Sequence, residues 1–106
     1  MTAAHEFRIT VQRAPQGQLQ GEPVSFHVGS HDDFIDIMAR VRSLPSFDAA
    51  QANALALGLK LFSGVMLAHR HDPLFATLQP EVRAFIGNLK ARVAARRAAL
   101  DAGGGA

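Results

Sequence analysis

Apolar and polar residues alternate strictly from His5 to Gln12. Phe7, Ile9 and Val11 face one way and Glu6, Arg8, Thr10 and Gln12 the other, the pattern of a half-buried strand. Alternation returns at Val24–Val28, with Val24, Phe26 and Val28 set against Ser25 and His27. Between the two runs, Arg13–Pro23 is rich in Gln, Gly and Pro and reads as a connecting loop. The simplest pairing is an antiparallel hairpin whose apolar face must be covered, because a lone two-stranded hairpin is marginal in water.

After Gly29 the period lengthens. Ser30 is a favourable N-cap, and Asp32 and Asp33 place acids where a helix N-terminus favours them. Phe34, Ile37, Met38 and Val41 form one helical stripe that Pro45 ends. Asp48, with Gln51 three residues on, opens a second helix running to about Arg70. Leu55, Leu57, Leu59, Leu61, Phe62, Val65, Met66 and Leu67 surround this helix, which therefore reads as central and buried or as an interface element. Gly58 and Gly64 weaken it, and are expected where another backbone comes close. Asp72-Pro73 starts a short turn bearing Leu74, Phe75 and Leu78. Pro80 opens a last helix with the stripe Val82, Phe85, Ile86, Leu89, Val93 and Leu100.

The expected fold is α+β: a two-stranded antiparallel β-hairpin packed on three main α-helices, in β-β-α-α-α order. Residues 1–100 form one domain and residues 101–106 a disordered Gly-rich tail. The expected core is Phe7, Ile9, Val11, Phe26, Val28, Phe34, Ile37, Leu55, Leu59, Phe62, Met66, Phe75 and Phe85.

Composition narrows the chemistry. The 106 residues include no cysteine, which removes disulfides, thiolate metal sites and cysteine nucleophiles and fits a reducing, cytoplasmic compartment. The apolar run Ala54–Ala68 is shorter than the roughly 20 residues of a membrane span and is interrupted by Lys60, so no membrane association is expected. Residues 1–80 hold six basic and seven acidic residues, whereas residues 81–106 hold five basic and two acidic, so the positive charge belongs to the last helix.

The segments His31-Asp32-Asp33, Phe47-Asp48, Ala54–Phe62, Val65–Arg70 and Pro73-Leu74-Phe75 together resemble the bacterial domain-of-unknown-function family 3861. The likeness spans about residues 6–90 and is densest over Leu57–Phe75. It implies a small single-domain protein and no catalytic residues, cofactor or substrate.

Candidate chemistry is sparse. His31, with its following acids, and His69, His71 and Asp72, at a helix end, are candidate ligands for a metal or small molecule. Helix-start acids, a helix-end histidine and a solvated histidine explain the same residues. His27 is placed on the polar strand face, within reach of His5. Lys90, Arg92, Arg96 and Arg97, with Arg83, are candidates for phosphate contacts, yet they also form the ordinary solvated face of an alanine-rich helix, and Tyr and Trp are absent. Ser63-Gly64 lies within a helix, and neither a nucleophile elbow nor a phosphate-binding glycine loop occurs. The chain reads as non-catalytic and cofactor-free, a domain that binds itself or another protein. A ligand or metal site and nucleic-acid binding stand as alternatives.

Overall fold

The structure is a computed structural model and describes residues 4–104. Strand β1 (His5–Arg13) and strand β2 (Gln20–Ser30) are followed by helices α1 (Phe34–Arg42), α2 (Ala49–Ala68), α3 (Pro73–Ala76) and α4 (Gln79–Gly104). The fold is α+β, in the order expected. Its contacts gather into two compact units dividing between Asp33 and Phe34, within what the sequence presents as one domain.

In the hairpin unit β1 and β2 pair antiparallel, with Phe7 opposite Val28, Ile9 opposite Phe26 and Val11 opposite Val24. All six side chains thus share one face. On the other face the Thr10 and Ser25 hydroxyls lie 2.9 Å apart and hydrogen-bond across the strands. The register shifts beyond Val11, where Pro23 has no N–H to give to the ladder. There the Gln12 side-chain amide donates to the Gly21 carbonyl at 2.8 Å. β2 therefore starts at Gln20, inside the segment expected to be loop. The true turn is Ala14–Gln18, in which Gln16 and Gly17 take positive φ of 53° and 81°. The register also separates the two strand histidines. His5 faces Ser30 and stacks near Phe7, while His27 faces Arg8 on the opposite side, so the expected approach of His27 to His5 does not occur.

Ser30 ends β2 instead of capping a helix. Its hydroxyl accepts the Asp32 N–H at 3.0 Å in a local turn, and α1 begins at Phe34. In the helical unit an Asp36–Arg40 pair, 2.7 Å apart and half exposed, spans one turn of α1. α2 starts with a full capping box: Asp48 accepts the Gln51 N–H at 2.8 Å, and the Gln51 side chain accepts the Asp48 N–H at 3.2 Å. Asp72 caps α3 by accepting the Leu74 N–H at 2.9 Å. α4 does not stop at Leu100 but continues to Gly104, so Asp101–Gly104 are helical where a disordered tail was expected. Once a helix is nucleated, adding a residue costs little. The remainder of that tail, Gly105 and Ala106, lies outside the described residues.

The helical core is Val41, Leu44, Ala52, Ala56 and Val93, with Ile37, Met38, Phe47, Leu55 and Leu89 packed against it. Ala52 is fully buried at 0% exposure and Ala56 at 1%. These alanines lie four residues apart on one face of α2, and their small side chains let α1 come close. Arg42 of α1 donates to the Asn53 side-chain oxygen at 2.6 Å across the same helix pair. Of the expected core, Phe34 and Met66 are buried, but Val11, Phe26, Phe62 and Phe85 are exposed. A large apolar residue is buried only where a neighbouring element lies over it, and the other helices cover one side of α2 alone.

Candidate interaction surface

The candidate ligand residues do not build a centre. His31 is exposed and belongs to the hairpin unit. His69 is the exposed C-cap of α2, its N–H satisfied by the Val65 and Met66 carbonyls. His71 is exposed beside Arg70, whose Nε lies 3.4 Å from the His71 Nε2. Asp72 is engaged as a helix cap. Among the described residues no three His, Asp or Glu side chains converge as metal ligands would.

The basic residues of α4 divide around the helix. Arg83, Lys90 and Arg97 recur every seven residues and share one flank, all exposed. Arg92 is exposed about half a turn away. Arg96 is withdrawn from any phosphate-binding set: half-buried, its Nε donates to the Ser43 carbonyl at 3.1 Å, joining α4 to the end of α1. That carbonyl lies beyond the last turn of α1, where backbone acceptors lack helical partners, and a cation suits it. The sequence offers one hint of this role, since Arg96 falls three residues after Val93 on the buried stripe.

What the helical unit does present is apolar surface. α2 is 20 residues long, and by length and composition alone it could cross a membrane, although its apolar run Ala54–Ala68 reads as too short for one. Only 17% of its most apolar window is buried, so of the two readings its all-round apolar character allows, a buried central helix or an interface element, it is not the first. Phe62 is 42% exposed, Val65 54% and Leu67 62%, and Ala54, Gly58, Gly64 and Ala68 are exposed beside them. The Phe62 ring meets Phe75 edge-on with centroids 6.1 Å apart, which carries the surface from α2 onto α3, where Leu74 is exposed. A side chain added at Gly58 or Gly64 would meet nothing within 4 Å among the described residues outside the helix's own neighbouring turns, so these do not provide the close backbone expected there.

The family described as a domain of unknown function with solved structure, DUF3861, matches residues 5–91. The chain is similar to a protein of unknown function from Pectobacterium atrosepticum whose crystal structure is known. The two are 33% identical, the match covers 86% of this chain and 99% of the other, and the TM-score is 0.73. No curated protein matches.

Proposed function

The chain belongs to the DUF3861 family, as its sequence resemblance implied, and because that family is of unknown function we propose a role from the surface itself: a cytoplasmic, non-catalytic domain that works by binding polypeptide. The observation that carries this reading is the exposed apolar side of α2, from Ala54 through Phe62 and Val65 to Ala68. Leaving such a surface in water forgoes about 25 cal/mol for each Å² that a partner would cover. A surface of this kind, without a charged centre or converging polar groups, suits burial against another chain better than it suits chemistry on a small molecule.

The test is capture from a lysate of the source cells with the tagged full-length chain, with and without nuclease, beside a Val65→Glu variant. Val65 is more than half exposed, so the substitution leaves the fold intact. The expected result is a polypeptide, the untagged chain itself included, that survives nuclease and is lost with Val65→Glu. Material that disappears with nuclease and is indifferent to Val65→Glu would overturn the reading and move attention to Arg83, Lys90 and Arg97.

A further inference from the structure

We propose that the occupant of the α2 surface is a second copy of this chain, with the two α2 helices packed antiparallel about a twofold axis at Leu61. This inference rests on the interaction reading and names its partner.

Ala54, Gly58, Leu61, Val65 and Ala68 are spaced alternately four and three residues apart, the spacing by which one helix seats along another. Four of the five are exposed and Leu61 is half-buried, so among the described residues no helix occupies the seam. The seam contains no charge; Lys60 lies to one side of it. Its occupant is therefore an apolar helix of similar length, and α2 is itself such a helix.

The order of side chains sets the direction. Reversed and laid on itself about Leu61, the seam places Ala54 against the partner's Ala68, Gly58 against the partner's Val65, and Leu61 against its own copy. Each valine thereby enters the gap left by a glycine, at a position where no described residue outside the helix's own neighbouring turns stands within 4 Å. A parallel pairing would set glycine on glycine and valine on valine, leaving a void at one level and crowding at the other. The antiparallel arrangement also opposes the two helix dipoles, and a twofold contact requires just this self-complementarity.

Sedimentation and light scattering of the full chain up to millimolar concentration should give twice 11.3 kDa. Gly58→Glu should return the mass to 11.3 kDa with helix content unchanged, because its side chain enters open space in the single chain. Gly58→Ala, a substitution that favours the helix of a monomer, should nevertheless weaken association at least tenfold by filling the valine socket. Since the chain has no cysteine, Leu61→Cys should oxidise to a disulfide-linked pair, while Ile35→Cys, on exposed α1, should not. A wild-type monomer, or a dimer indifferent to both Gly58 substitutions, overturns the proposal. So does a Gly58-sensitive dimer that Leu61→Cys fails to link, or a chain that leaves solution only with phospholipid vesicles. A monomer that still captures a different polypeptide through Val65 overturns self-association alone and leaves the broader reading standing; a monomer that captures nothing ends both.

Discussion

Leu44 is 2% exposed although it follows the last turn of α1 and stands directly before Pro45. Its N–H returns to the Val41 carbonyl at 3.0 Å, so the chain end of α1 folds back and places the side chain in the core with Val41 and Ala52. Leu44→Ala should therefore cost about 2–5 kcal/mol in urea unfolding. Phe62→Ala removes more atoms from a site that is 42% exposed, and in a monomer it should cost only about 1 kcal/mol. If unfolding shows Phe62 to be the costlier loss, the phenylalanine is covered in solution by something outside the single chain. At this scale the sequence was least informative. Ala52 and Ala56 are buried because α1 lies against them, and nothing about an alanine marks which side of a helix will be approached. Arg96 differs from the other arginines of α4 only in following Val93 by three residues, and its role is decided by the Ser43 carbonyl that meets it. Arg96→Ala should lower stability by about 1 kcal/mol, and Arg97→Ala, one residue away and exposed, should leave the same melt within about 0.5 kcal/mol of wild type.

Elements were far more legible, because their signals are local. The alternation of Phe7, Ile9 and Val11 against Glu6, Arg8 and Thr10 is a property of consecutive residues, and β1 bears it out. The Asp48–Gln51 box needs only three residues of spacing to be recognised, and both of its hydrogen bonds form. Asp48→Ala should destabilise the chain by about 1 kcal/mol, seen as a lower urea midpoint with an unchanged slope. Where an element signal was shared by two outcomes, sequence could not choose. Ser30 before two acids suits a helix cap and an isolated turn equally, and the hydroxyl serves the turn. The all-round apolar character of α2 suits a buried helix and an interface helix alike, and the number of elements available to cover it decides between them. In sequence Pro23 marks the end of a loop, although a proline is equally at home in a strand wherever the ladder is already interrupted.

At the scale of the whole molecule, the apolar side of α2 links folding to concentration. A chain whose native form buries that side only against a second copy gains stability by mass action, so its melting temperature should climb as protein is added and should stop climbing in Gly58→Glu. Among the described residues the candidate histidines are exposed and join no three-ligand cluster, and Asp72 already serves as a cap. The same scale gives the long α4 a further meaning. Val93 is its last buried residue and Arg96 its last anchor, yet the helix runs on to Gly104. At 1.5 Å per residue the stretch beyond Val93 reaches about 16 Å. With Arg96 as its last anchor, it should trade its amide hydrogens for deuterium from Gly104 inwards, with protection rising stepwise toward Arg96. A fluorophore fixed near Leu100 would then ride on a spar whose stiffness depends on temperature, reporting how firmly the last turns are wound and remaining silent about the core beneath them.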